Sequence, residues 1–230
     1  MRPIAVLRPE PGASATAGRI AAAGMTALRL PLFAVVPVAW QVPDPAGFDS
    51  LLLTSANAVR HAGEGLRSLA GLPVLAVGQA TADAARAAGL TVAVTGTHGV
   101  GALGEWAQAM GFARALHLAG RDRTEALALA ADTRVVYASE RVDPPADAVA
   151  ALGGAVALVH SPRAGSALRD VAGDLRPSIR VVAISAEALE AIGGGWDSTA
   201  IAALPSDAAL IDAARTLAID PPAMREDKAP

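Results

Sequence analysis

Cysteine is absent from this chain of 230 residues, which excludes disulfides, thiolate catalysis and cysteine-ligated metal sites. Aromatic residues make up only 3% of it, and much of the 53% hydrophobic fraction is alanine. Alanine adds helix propensity more than buried area, so many closely packed helices are expected. No apolar run reaches the roughly 18 residues of a membrane-spanning helix, and no membrane partner is expected. The opening segment Met1–Arg8 has too short an apolar stretch for a secretion signal and reads as a first strand. A cytoplasmic location follows as the expectation. There is no long basic run, and the formal net charge is −3. Nucleic acid is therefore not expected as a partner, and an anionic ligand must be met by local charge and backbone donors.

The length suits one large or two small domains, each with a buried core. Strand-like runs at Ile4–Leu7, Thr26–Leu30, Leu51–Leu53, Val74–Val77, Thr91–Val94, Ala115–Leu118, Val156–Val159, Arg180–Ile184 and Thr199–Ala203 alternate with helix-like runs. That alternation predicts parallel α/β units. Leu51–Ser55 followed by Val74–Gly89 is echoed by Ala157–Ser161 followed by Val181–Gly193 at nearly the same spacing. Two similar parallel-sheet α/β domains of flavodoxin-like type are expected. The second copy is shorter at its turn, with Ser185 standing where the first has residues 78–81. Ala34–Trp40, with Pro37, and Arg134–Asp143, before Pro144 and Pro145, read as connections. The charged, proline-rich stretch 221–230 reads as a disordered tail.

In open parallel sheets, ligands bind beyond the carboxyl ends of the strands. This sequence places Arg8 there after the first strand, and Thr54, Ser55 and Asn57 after the next long one. Gly78 and Thr81 follow Val77, Gly120, Arg121 and Arg123 follow Leu118, and Ser161 and Arg163 follow Val159. Helix N-termini at such turns present free N–H groups to anions, and arginine pairs bidentately with carboxylates. Two such edges facing each other would form a cleft that takes carboxylates. Each residue also has a plainer reading. Ser55 and Thr81 can be N-caps worth about 1 kcal/mol, Gly78 can serve a turn, Asn57 can be an early-helix polar group, and a lone arginine is usually a solvated charge. Recurrence at equivalent strand ends is what favours a site.

Three other patterns carry less. Gly99-Val100-Gly101-Ala102-Leu103-Gly104 matches the dinucleotide fingerprint. The preceding strand ends near Val94, however, so the glycines miss the strand–helix junction that the fingerprint requires. They read as a flexible loop leading into a helix. The histidines His61, His98, His117 and His160 show no metal-ligand spacing. His117 reads as a core residue of a strand, and no nucleophile elbow surrounds His160 and Ser161. Tyr137, the only tyrosine, lies in the second connection, where strand propensity alone would explain it.

The order strand-Thr54-Ser55-x-Asn57-x-Val59, then Val77-Gly78-x-x-Thr81-Ala82-x-Ala84-Ala85-x-x-x-Gly89, resembles the uroporphyrinogen-III synthase family over nearly the whole chain. The resemblance implies that the two connections, 35–40 and 134–143, pair as a two-stranded linker. One domain would then be discontinuous, 1–34 plus 144–220, with 41–133 inserted. It implies a lyase of heme and tetrapyrrole biosynthesis that cyclises hydroxymethylbilane to uroporphyrinogen III. The last pyrrole is inverted and water is lost, with no metal and no cofactor. Tyr137, in Val-Val-Tyr, is the family's leading candidate for general acid, because a phenol is protonated at neutral pH. Substrate binding would fall to Arg8, Ser55, Asn57, Gly78, Thr81, Gly120, Arg121, Ser161, Arg163 and Ser185, on a monomer. The competing class is a non-catalytic two-domain module that closes around a small polyanion.

Overall fold

A computed structural model describes residues 1–96, 99–122 and 129–220, with backbone alone at 99 and 100. The stretch 221–230, His98 and Arg123 lie outside the described residues. The chain divides into two compact units, Met1–Ala34 with Arg141–Pro230, and Val35–Glu140. The first unit begins with β1 (Ile4–Val6), α1 (Gly12–Ala22) and β2 (Ala27–Arg29). After β3 (Phe33–Pro37) the second unit contributes β4 (Ser50–Leu53), α2 (Ala56–His61), β5 (Val74–Val77), α3 (Gln79–Ala87) and β6 (Val92–Gly96). It continues through α4 (Gly99–Ala109), β7 (Ala115–Gly120) and β8 (Ala130–Arg141). The first unit then resumes with α5 (Ala146–Ala150), β9 (Val156–Val159), α6 (Pro162–Ala172) and β10 (Arg180–Ala183). Its last elements are α7 (Ala186–Ile192), β11 (Ser198–Ile201) and α8 (Asp207–Leu217).

One sheet has the order β11-β10-β9-β1-β2, all neighbours parallel. This is the flavodoxin order, and the winding reverses between β1 and β9. The other sheet runs β3-β8-β7-β4-β5-β6, parallel from β8 to β6. Its parallel strands take the other common doubly wound order, which reverses between β4 and β7. Beside β8, Val38 N–H donates to the Val136 carbonyl at 2.9 Å and Val142 N–H to the Leu32 carbonyl at 3.0 Å. Numbers rise on one strand as they fall on the other, so this pair is antiparallel.

Side-chain alternation builds a core on both faces of each sheet. In the first unit, Ala5, Leu7, Ala157, Val159, Val181 and Ala183 pack with α6 and α7, while Ile4, Val6, Val156, Leu158 and Val182 pack with α1 and α8. In the second, Leu51, Leu53, Ala76, Leu116 and Leu118 pack with α2 and α3, while Leu52, Leu75 and Ala115 pack with α4. Strands covered on both faces read as continuous apolar runs, which is why the parallel sheets were visible in the sequence. Among the described residues, no helix is long and apolar enough to cross a membrane.

The expected loop at 99–104 is corrected. β6 extends to Gly96, and Gly99, Gly101 and Gly104 all lie within α4. Packing outweighs the helix penalty of glycine, about 1 kcal/mol each. The Leu103 Cβ lies 3.2 Å from where a Cβ on Gly96 would stand, so the absent side chain at Gly96 lets α4 seat closely on the sheet.

The α6–α7 contact depends on a similar approach. A methyl group on Gly165 would sit 2.8 Å from the Ala188 carbonyl oxygen and 3.1 Å from Ile192 Cγ2. Gly165→Ala gains about 1 kcal/mol of helix propensity, but it must move backbone, and overpacking of this kind costs about 1–3 kcal/mol. Net destabilisation is expected in a denaturant titration. A midpoint at or above wild type would show that the helices separate freely.

Candidate active site

The parallel registers bring the strand ends of the second unit level. Leu53 pairs with Ala76 and Leu118, and Gly120 with Tyr137. The carboxyl ends of β7, β4 and β5 therefore form one edge, which β8 crosses at Tyr137 before running on to Arg141, and the winding reversal lies between β4 and β7. Beside it the Thr54 hydroxyl meets the ring of His117 at Nε2, 3.1 Å away, linking the end of β4 to the buried middle of β7. The Ser55 hydroxyl oxygen caps α2 by accepting from Asn57 N–H at 3.2 Å. Asn57 Oδ1 in turn accepts from Arg60 at 3.1 Å. Gly78 stands at the N-terminus of α3 with φ +82°, a conformation that suits glycine, and its N–H donates to the Gly96 carbonyl at 2.9 Å. Thr81 is only 4% exposed, so its side chain faces the core. Arg121 is exposed and pairs with Glu140 at 3.4 Å, while its N–H donates to the Tyr137 carbonyl at 2.9 Å. The half-buried Tyr137 phenol lies across Gly120, with the His61 ring centroid 6.3 Å away.

In the first unit, Arg8, His160 and Ser161 follow β1 and β9, the two strands at the reversal of winding. The Arg8 guanidinium lies over Gly12, where a Cβ would be 2.5 Å from Nε, and reaches Asp207 at 3.5 Å. Asp207, at the start of α8, accepts from Thr16 at 2.8 Å, Arg19 at 2.6 Å and His160 Nε2 at 2.9 Å. Burial works to raise the pKa of Asp207, but hydrogen bonds from His160, Thr16 and Arg19 outweigh it and hold the carboxyl below its ordinary value. Burial pushes His160 down, with help from the charge of Arg8, against the opposing pull of Asp207. The imidazole is thus neutral near pH 7, with its proton on Nε2. Nδ1 is buried and makes no hydrogen bond. With Arg8 and Arg19 set against one carboxylate, this edge keeps an excess positive charge, which suits an anion. Ser161 caps α6 through Ala164 N–H at 3.2 Å, and Ser185 caps α7 through Ala188 N–H at 3.3 Å. Arg163 stacks over the Phe33 ring at 4.5 Å.

The Ser55 and Ser161 hydroxyls cap through their oxygens and can still donate their O–H, whereas the Ser185 hydroxyl donates to the Glu187 carboxylate and helps hold that carboxyl below its ordinary value. The structure therefore brings together Ser55, Gly78, Gly120, Arg121 and Tyr137 at one sheet edge, and Arg8, Ser161 and Ser185 at the other. Thr81 is turned inward, and Arg163 is held at an aromatic face. Sequence reasoning missed His61 and Asp207. His61 lies four residues after Asn57, on the same face of α2, and that spacing could have raised it. Asp207 opens the helix after the last strand, where the strand-end argument could have reached it. Among the described residues, no group of three histidine or acidic side chains could hold a metal.

Two doubly wound units, each a parallel-rich sheet covered by helices on both faces, define a two-unit α/β protein. The family model described as uroporphyrinogen-III synthase HemD matches residues 14–212. The chain belongs to the uroporphyrinogen-III synthase family, whose enzymes are hydro-lyases of tetrapyrrole biosynthesis. No curated protein sequence matches it significantly. Among solved structures it is similar to uroporphyrinogen-III synthetase from Helicobacter pylori 26695, with 20% identity and a TM-score of 0.67. That match covers 94% of this chain and all of the other, and at this identity it shows the shared fold. A mutant uroporphyrinogen III synthase from the extremely thermophilic bacterium Thermus thermophilus is 18% identical over 94% of this chain and 99% of that one, with a TM-score of 0.47.

Proposed function

We propose that this chain cyclises hydroxymethylbilane to uroporphyrinogen III in the cytoplasm, as a monomer. The family match across residues 14–212 carries this reading, and the donors at both sheet edges support it. Loss of the terminal hydroxyl, protonated as it leaves, gives water and an azafulvene cation. The last pyrrole attacks through its substituted carbon to form a spiro intermediate, which fragments and recloses inverted with loss of a proton. The bilane carries its own electron-rich nucleophile, so the protein's task is to fold a flexible polyanion into one closing geometry. Orientation of this kind contributes roughly 7–11 kcal/mol, whereas one general acid contributes on the order of 10²–10⁴-fold. Positioning therefore outweighs proton transfer. Arg8, the Ser55 and Ser161 hydroxyls, the Asn57 side-chain amide and the backbone N–H groups that follow Gly78 and Ser185 hold acetate and propionate groups, with Gly120, Arg121 and Arg163 in support, while Thr81, buried in α3, acts only through the packing of that helix. Tyr137 is the general acid.

The test is incubation with freshly made hydroxymethylbilane, oxidation, and separation of the porphyrin isomers. The expected product is the inverted isomer in excess over the spontaneous background. A protein that only bound the bilane would leave the symmetric isomer, and that result would overturn the proposal.

A further inference from the structure

Val136 and Tyr137 are consecutive on β8, yet both pack against the apolar cluster that includes Ala58 and Val59 of α2. Neighbouring strand residues ordinarily point to opposite faces. The register resolves this. The partners of β7 step from Val135 at Ala119 to Tyr137 at Gly120, which leaves Val136 as an inserted residue. Such bulges are uncommon between parallel strands, and they re-aim side chains beside active sites. The re-aimed phenol lies across Gly120. A Cβ there would stand 2.8 Å from Cε2 and Cζ and 3.0 Å from the phenol oxygen. At the end of α2, the His61 ring meets the Tyr137 ring at 6.3 Å and a tilt of 36°, within the range of aromatic contact. Burial, then the charge of Arg60, holds the pKa of His61 below its ordinary value, so a neutral ring faces the phenol.

We propose that Gly120 and His61 are positioning residues that hold the Tyr137 phenol in one orientation where the carboxyl end of β7 meets β8. Gly120 leaves open the space its side chain would fill, and His61 packs its ring against the phenol ring. The consequence for turnover rests on the reaction proposed above, but the contact itself does not. Covering a strand glycine with an aromatic ring also stabilises a sheet, so the test must separate positioning from stability.

Because Tyr137 is the only tyrosine, ¹³C-tyrosine labelling gives a single set of ring signals without ligand. Gly120→Ala and His61→Ala are each expected to shift those signals, and His61→Phe, which keeps a ring, to restore them towards wild type. In the isomer assay, Gly120→Ala is expected to lower kcat roughly 10²-fold, as far as loss of the phenol does, with KM within about twofold. The Gly120→Ala, Tyr137→Phe double variant should fall no further than either single variant, because both changes act through one group. His61→Ala is expected to lower kcat roughly three- to tenfold, the rate equivalent of one ring contact, with recovery in His61→Phe. Ring signals unchanged in His61→Ala would overturn the proposal even if Gly120→Ala failed to fold. A double variant slowed by the product of the two single effects would overturn it as well. If wild type forms no inverted isomer, the reaction reading fails while the ring signals still decide the contact.

Discussion

Tyr137→Phe is expected to lower turnover by roughly 10²-fold, the lower end for loss of a general acid. Binding should change little, because the donors proposed to meet carboxylates are distributed over Arg8, Ser55, Ser161 and other strand ends. The isomer formed on the enzyme should remain the inverted one, since the fold imposed on the bilane selects it and the acid does not. Turnover and isomer ratio, read by chromatography with the spontaneous background subtracted, separate the possibilities. Full turnover in Tyr137→Phe would transfer the acid role to water or to the substrate's own carboxylic groups. Normal consumption with mainly symmetric product would make Tyr137 a residue that places the last ring.

Asp207→Ala is expected to cost about 3 kcal/mol. Arg19 is 57% exposed at its side chain and regains water at little cost, as surface pairs usually do. Thr16 is fully buried and His160 is 12% exposed at its side chain, so each keeps a donor with no acceptor. A buried donor left unsatisfied costs about 1–3 kcal/mol, and two such donors dominate the loss. For a chain of this size the melting temperature should fall by about 6–12 °C. A fall under 2 °C would mean that water replaces the carboxylate.

The same cluster sets an acid limit. His160 has a pKa depressed on folding, so below about 6.5 the unfolded chain takes up the proton first. Its stabilising contribution is therefore complete above that pH and is lost as pH falls towards the folded value. His61, depressed in the same direction, adds to this slope. The depressed carboxyl of Asp207 stabilises the fold fully above about 3.9, and this contribution is lost only as pH falls below that towards the folded value, so it adds nothing to the slope near neutrality. Calorimetry between pH 8 and pH 5.5 should show the melting temperature falling, with part of the slope removed in His160→Gln. A flat profile would mean that His160 is charged in the folded protein.

The sequence by itself determined the alternation of strand and helix, because apolar runs covered on both faces and alanine-rich helices are written locally. The strand ends at Arg8, Ser55, Gly78, Gly120 and Ser161 were legible for the same reason: an apolar run stops where small, polar or cationic residues begin. Only the tertiary structure decided which ends lie side by side, since a parallel neighbour can come from far along the chain. β1 pairs with β9 across the whole second unit, and that pairing sets Arg8 next to His160. Thr16 reaches Asp207 across 191 positions, a separation over which no local spacing rule operates. The glycines of α4 carried a local signal for a loop, and packing of Leu103 over Gly96 overrode it. The bulge at Val136 is likewise invisible in the sequence, because its residues alternate no differently from those of a regular strand. It exists only relative to the register of β7. That register, fixed by the non-local packing of two strands and a helix, decides where the phenol points.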